Sequence, residues 1–123
     1  MTDGHLELRI AWDRHVGAGT ATSSWLESVV ARYCEPHRHY HDVRHLRWVV
    51  RHVEDLGAAT VDLDAVVAAA FFHDAIYDPT SAGNEVASGR LAATALGELG
   101  WDAGRIANVD DMIVATAHHE LGD

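Results

Sequence analysis

The stretch Ala68-Ala69-Ala70-Phe71-Phe72-His73-Asp74 carries an apolar run directly into a histidine and an aspartate, and Asp78 follows just before Pro79. Apolar residues at this density predict a buried helix, so the His-Asp pair is expected at the inner end of that helix. Burying such groups without partners costs roughly 2–7 kcal/mol for a polar group and more for a charge. A divalent metal ion would satisfy both side chains at once, and a hydrogen-bonded pair at a helix end is the alternative.

Length and composition bound the architecture and the partners. A chain of 123 residues is expected to form a single domain, 1–123, with one core. No apolar run approaches the roughly 20 residues of a membrane span, and no signal peptide follows Met1, so we expect a cytoplasmic protein without a membrane partner. The single cysteine, Cys34, excludes an intramolecular disulfide. A formal net charge of −10 argues against a nucleic-acid polymer as partner.

Apolar spacing predicts an all-α protein, since no strand-like alternation persists anywhere in the chain. Capping residues, glycines and prolines divide it into about six helices. The first expected helix is 5–16, with Leu6, Leu8, Ile10 and Trp12 as its apolar set; the second is capped at 22–24, and the third is 38–56. The fourth runs from Asp62 or Asp64 to His73-Asp74, and the fifth is 85–99 with Val86 buried. The sixth is capped by Asp102, with Val109, Ile113 and Val114 turned inward.

Histidines concentrate in the third predicted helix and directly before it, since five of the ten lie between His37 and His52. At 100° per residue, His41 and His45 lie one turn apart on the edge of the apolar stripe, and His41 is the favoured ligand. The histidines of this helix, His73-Asp74 and His118-His119 make three separated groups of nitrogen and oxygen donors. Mixed imidazole and carboxylate ligation suits Mn, Fe, Co, Ni or Zn. Arg38 falls on the inner side of the same helix, where it would hold an anionic substrate.

These residue types favour hydrolysis of a phosphate ester. A divalent ion with an open coordination position activates water for attack, and an arginine holds the phosphate. The chain has no Gly-rich phosphate loop and no serine in a recognisable nucleophile context, which argues against the other common hydrolytic arrangements.

Four strings occur in order along the chain: 33–41 (YCEPHRHYH), 72–79 (FHDAIYDP), Asn84-Glu85 and 115–119 (ATAHH). Together they resemble the HD-domain superfamily of metal-dependent phosphohydrolases, in a bacterial branch. The resemblance implies an HD-domain-like helical bundle that acts on a nucleotide or another small phosphate compound.

The resemblance also implies roles for single residues. The metal ligands would be His41, His73 and Asp74. Arg38 would contact a phosphate, and Asp78 would assist the attacking water. A second metal or the substrate would involve His118 and Glu85, and an iron oxygenase with a second iron at His118 and His119 is a further reading.

In one respect the chain departs from the superfamily pattern, whose fourth ligand is an aspartate on a later helix. This sequence ends before that helix, so we expect either a C-terminally truncated domain or one in which water or a neighbouring subunit completes the ligand set. Apolar surface left by the missing helix would favour a homo-oligomer. The alternative to an enzyme is a non-catalytic metal-binding or nucleotide-binding domain, or a degenerate HD domain.

Overall fold

The computed structural model describes residues 3–36, 42–55, 62–78, 80 and 82–120, with the side chains of 3–4 and 117–120 left aside. The described part of the chain is all-helical, with no strand in it, which confirms the predicted fold class. Its helices are α1 (Asp3–His15), α2 (Thr20–Tyr33), α3 (Val43–Asp55), α4 (Leu63–Phe72), α5 (Asn84–Glu98) and α6 (Ala103–Glu120). Within those residues, none of the helices has the length and apolar character needed to cross a bilayer.

The helix α4 forms the centre of the bundle and packs against α1, α3, α5 and α6. Seven of its ten residues are buried, four of them alanines, because a helix that is apolar on all sides is stable only when neighbours surround it. Phe71 and Phe72 at its end pack against the indole of Trp12, with ring centroids 5.0 and 5.9 Å away. The small alanines let the neighbouring helices approach closely, and the two phenylalanines fill the core next to the His-Asp pair.

A buried histidine joins α1 to α3 and α4. The His15 side chain is 8% exposed, with Nδ1 2.8 Å from Asp64 Oδ1 and Nε2 2.9 Å from Glu54 Oε2. Each ring nitrogen therefore meets a carboxylate from a different helix. This contact fixes the C-terminal end of α3 against the start of α4.

Several sequence predictions are wrong in detail. The third helix begins at Val43 instead of 38, and the second begins at Thr20 after Gly19, without a side-chain cap. Val86 (45%) and Val114 (37%), which were expected inside, are exposed, as are Leu6 (51%) and Ile10 (50%) of the apolar set of α1. They lie on faces of α1, α5 and α6 that no described helix covers, and periodicity alone cannot indicate which part of an apolar face is covered.

The predicted caps of α4 and α6 are confirmed, and they are joined to each other. The Asp62 carboxylate accepts a hydrogen bond from the backbone N–H of Ala65, and Asp102 accepts one from the N–H of Arg105. The Arg105 guanidinium donates two hydrogen bonds of 3.0 Å to Asp62 and lies 4.1 Å over the ring of Trp101. This bidentate pair ties the start of α6 to the start of α4.

The Asp62 contact predicts a loss of stability in acid. Hydrogen bonds from Arg105 lower the pKa of Asp62 below its ordinary value of 3.8 and outweigh the opposing effect of burial. A carboxylate with a lowered folded-state pKa stabilises the fold above about pH 3.8 and loses that contribution as pH falls through the folded value. Asp62→Asn keeps a good cap without the charge, so its unfolding free energy should fall less steeply between pH 5 and about pH 2.

Urea unfolding of both proteins across this pH range, followed by circular dichroism, measures the difference. Parallel pH profiles for the wild type and Asp62→Asn would contradict the assignment.

A close approach of α5 and α6 depends on Gly89. A methyl group at Gly89 would overlap the carboxylate of Asp110 and lie 3.7 Å from Val114. The missing side chain explains how the half-buried Asp110 is accommodated on the inner side of α6. We expect Gly89→Ala to lower the free energy of unfolding by about 1–2 kcal/mol, despite the better helix propensity of alanine.

Gly97 on the same helix provides the matched control, because a Cβ there meets nothing within 4 Å. Gly97→Ala should raise the unfolding free energy by up to about 1 kcal/mol. Chemical denaturation of the three proteins gives both values. If Gly89→Ala were as stable as Gly97→Ala, the packing argument would be wrong.

Candidate metal centre

The His-Asp pair lies at the point where α4 ends. His73 is the C-cap residue of α4 with helical backbone angles, and its N–H donates to the carbonyl of Ala69 at 2.9 Å. Asp74 follows in the turn and is 7% exposed. As predicted from the sequence, the end of the most buried helix therefore carries two ionisable side chains into the interior.

Tyr33 at the end of α2 fixes the backbone of this turn. Its ring is fully buried, its hydroxyl donates to the carbonyl of Phe71 at 2.9 Å, and it accepts from the N–H of Asp74 at 3.1 Å. One hydroxyl thus satisfies two backbone groups at a helix end, where carbonyls and N–H groups lose their helical partners. The position of Asp74 consequently depends on α2.

Two side chains of α5 hold the rest of the turn. Ser88 is fully buried; its Oγ accepts from the N–H of Ile76 at 3.0 Å and donates to the carbonyl of the same residue at 3.3 Å. The amide of Asn84 accepts from the N–H of Asp78 at 3.0 Å and donates to its carbonyl at 2.9 Å. Segment 71–78 is therefore held from both sides, which limits how far His73 and Asp74 can move.

A third candidate ligand comes from a different helix. His45 near the start of α3 joins His73 and Asp74 in a group whose ligand atoms all lie within 4.8 Å of one another. His73 Nε2 lies 3.1 Å from Asp74 Oδ2, and the two imidazole centroids are 6.2 Å apart. Residues remote in sequence thus bring two imidazoles and one carboxylate together, a combination typical of sites for Mn, Fe, Co, Ni or Zn.

The hydrogen bond of His73 determines which of its nitrogens faces the group. Nδ1 lies 2.6 Å from the carbonyl oxygen of Ala70. A carbonyl only accepts, so Nδ1 carries a proton, and in the neutral ring Nε2 presents a lone pair toward Asp74. A lone pair and a carboxylate oxygen at 3.1 Å need a proton or a cation between them.

These donors fit a divalent ion. Ligating histidines commonly donate their second nitrogen to a backbone carbonyl, as His73 does. Ligand atoms around a tetrahedral ion are about 3.3–3.6 Å apart, given bonds of about 2.0–2.2 Å. The separation of 3.1 Å between His73 and Asp74 is close to that range, and His45 would close on the ion from α3.

The N-terminus of α3 orients His45. Asp42 accepts hydrogen bonds from the N–H groups of Arg44 at 3.1 Å and His45 at 3.2 Å. Burial raises the pKa of Asp42, but the guanidinium of Arg44 and the His45 N–H together hold it below its ordinary value. Asp42 is therefore a charged cap at neutral pH, and it fixes the helical turn from which His45 projects.

The sequence favoured His41 over His45, and the structure brings His45 to the pair. His41 and Arg38 lie outside the described residues, so the roles assigned to them stay predictions. The signal for His45 was present, because it lies one turn after His41 on the same edge of the apolar stripe. Periodicity could not rank two histidines in such equivalent positions.

Among the described side chains, Asp78 and Glu85 are not members of the three-residue group. Asp78 is exposed, and its carboxylate accepts from the N–H and the hydroxyl of Thr80 at 2.9 and 2.7 Å. Glu85 is half-buried in the first turn of α5, and His118 belongs to α6 with its side chain outside the described set. Their roles in water activation, substrate binding or a second metal stay predictions.

An aromatic stack runs along α3 next to the site. The Trp48 ring lies nearly parallel to His45, with centroids 6.3 Å apart and an angle of 17°, and to His52 at 5.0 Å and 7°. Trp48 is nevertheless 58% exposed. The imidazole of His45 therefore packs against a tryptophan that borders solvent, and the site lies near the surface on this side.

A cavity of about 350 Å³ opens beside the cluster, between α3, α4 and α6. His45 and His73 line it, together with apolar side chains and Thr116. No aspartate, glutamate or arginine is among the described residues of its lining.

Searches of protein-family models, curated proteins and solved structures find no match to this chain, so the HD-domain resemblance stays an expectation.

Proposed function

We propose that the chain binds a divalent transition-metal ion at His45, His73 and Asp74 and hydrolyses a small phosphate ester. The observation that supports this most is the 3.1 Å separation of His73 Nε2 from Asp74 Oδ2, with Nδ1 of the same imidazole engaged by the Ala70 carbonyl. A bound divalent ion would supply Lewis acidity toward water and toward the phosphoryl oxygens.

Each residue of the candidate site has a definite role in this proposal. Asp74 contributes the negative charge that offsets the cation, and His73 and His45 contribute neutral nitrogens. Ala70 keeps His73 in the required tautomer and makes its imidazole a stronger donor. The buried hydroxyl of Tyr33 holds the backbone of Asp74 in place.

The reaction is a simple displacement at phosphorus. The attacking water gives up a proton as its oxygen bonds to phosphorus, the ester oxygen–phosphorus bond breaks, and the leaving oxygen takes up a proton, so that the products are an alcohol and inorganic phosphate. No oxidant or reductant is required. The resemblance assigns phosphate contact to Arg38 and assistance to the attacking water to Asp78, and both assignments belong to the proposal.

Metal removal and reloading test the proposal. Protein stripped with a chelator and reloaded with Mn, Fe, Co, Ni or Zn is assayed against a panel of phosphomonoesters and nucleotides. We expect activity to vanish on stripping, to return with at least one ion, and to fall to background in Asp74→Asn. Failure of the wild type to bind any of these ions, or full activity of Asp74→Asn, would disprove it.

A non-catalytic metal-binding domain is the second candidate. It is favoured by the absence of an arginine among the described residues that line the cavity beside the cluster. Stoichiometric metal binding without turnover on any phosphate compound would identify this function instead.

A further inference from the structure

We propose that the substrate is a phosphate ester whose leaving group is an uncharged apolar alkyl or aryl group bound in the cavity beside His45 and His73. This inference rests on the proposed function. Sugar phosphates and nucleotides would then be poor substrates. The argument depends on the walls of the cavity, on its position relative to the ligands, and on its size.

The walls are apolar on three sides. The helix α3 contributes Val49, α4 contributes Val66 and Ala69, and α6 contributes Met112 and Ile113. Each of these side chains is buried or half-buried within the fold. An alkyl or aryl group placed among them would leave water for surroundings like those of a protein core.

The polar groups of the lining are few and mostly engaged. Thr116 donates its hydroxyl proton to the carbonyl of Ile113 at 2.6 Å, so this proton is already used within α6. His73 uses Nδ1 on Ala70. A sugar hydroxyl, a second phosphate or the polar edge of a nucleobase would therefore lose hydrogen bonds to water without equivalent replacements from the described lining.

The cavity and the cluster share two residues. His45 and His73 belong both to the ligand group and to the cavity lining, whereas Asp74 belongs to the group alone. A phosphate held at the cluster would thus direct its ester substituent past the two imidazoles and into the cavity. Trp48 also lines the cavity and is 58% exposed, so the cavity borders solvent at this residue.

The size of the cavity limits the substituent. A volume of about 350 Å³ is at the lower end of small-molecule sites, which range from about 300 to 1,000 Å³. It suits a chain of six carbons or a bicyclic aryl group. It excludes a lipid with a long acyl chain as a fully enclosed ligand.

A pair of isosteric substrates tests the proposal in the metal-loaded protein. Hexyl phosphate is compared with its analogue in which two methylenes are replaced by ether oxygens, so that length and leaving-group class are matched. We expect kcat/KM to favour hexyl phosphate by about 10- to 100-fold. Equal values for the two esters would overturn the inference.

A cavity-filling variant locates the effect. Val66→Trp should abolish the preference for hexyl phosphate while metal affinity is retained, because Val66 lines the cavity and is not a ligand. Val86→Trp is the matched control, since Val86 is exposed on α5 and does not line the cavity. The same loss of preference in both variants would overturn the inference.

Binding measurements separate this inference from the proposed reaction. Calorimetry with the metal-loaded wild type compares hexylphosphonate with the matching diether phosphonate, neither of which is hydrolysed. Tighter binding of hexylphosphonate, by about 10-fold or more, supports the apolar cavity site even if no ester is turned over. Concentration-dependent dimerisation that Val66→Trp abolishes would overturn it, because a second copy would then occupy the cavity.

Discussion

Replacing His45 by alanine is expected to weaken the binding of divalent metal by about 100-fold or more, while His52→Ala leaves binding unchanged. Loss of a residue that merely orients a ligand commonly weakens affinity by about 10–100-fold, and loss of a ligand should exceed that. His45 belongs to the group with His73 and Asp74, whereas His52 is exposed two turns later on the same helix. Competition with a metal-binding dye gives both affinities, and circular dichroism verifies that the two variants are folded.

His41→Ala completes this comparison because the sequence favoured that residue as the ligand. A large loss of affinity in His41→Ala with little change in His45→Ala would restore the original assignment. Losses in both would indicate that the two histidines share the ion. Equal affinities in the wild type and in His45→Ala would show that the geometry has no bearing on metal binding.

Tyr33→Phe is expected to lower both stability and metal affinity, although the removed hydroxyl is not a ligand. The variant leaves the carbonyl of Phe71 and the N–H of Asp74 without their buried partner, which should reduce the unfolding free energy by about 1–3 kcal/mol. Since Asp74 is then held less firmly, metal affinity should fall by about 10-fold. Urea unfolding and dye competition measure the two effects.

Gly89→Ala separates positioning from stability in this experiment. It is expected to destabilise the protein by a similar amount, but through the contact between α5 and α6 with no direct effect on Asp74. Its metal affinity should therefore match the wild type. If Gly89→Ala weakened metal binding as much as Tyr33→Phe, the effect of Tyr33 would be one of stability alone.

Periodicity and capping were sufficient to predict the helices, since both are local properties of the chain. Asp102 was predicted as a cap, and Asp62 as one of two possible caps beside Asp64, because each precedes an apolar-periodic segment. The start of α3 was missed because the preceding residues continue the same polar and apolar pattern, so only the hydrogen bonds of Asp42 mark the true beginning.

The candidate site was only partly predictable for a related reason. His73 and Asp74 stand out because they interrupt an apolar run. The supporting hydroxyls do not stand out, because their partners are remote in sequence. Tyr33 binds the backbone of Phe71 and Asp74, which follow it by 38 and 41 positions, and Ser88 binds Ile76, twelve positions before it. Such contacts follow from the way α2 and α5 pack around the turn, and no local pattern encodes them.

The central position of α4 has a consequence for the order in which the helices unfold. Amide hydrogens of a helix enclosed by four others should exchange with solvent only through global unfolding, whereas α3 can detach at lower free energy. A cation bridging His45 to His73 and Asp74 would couple these two helices, since detaching α3 would then release the ion. Added metal should therefore slow exchange in α3 more than in any other helix.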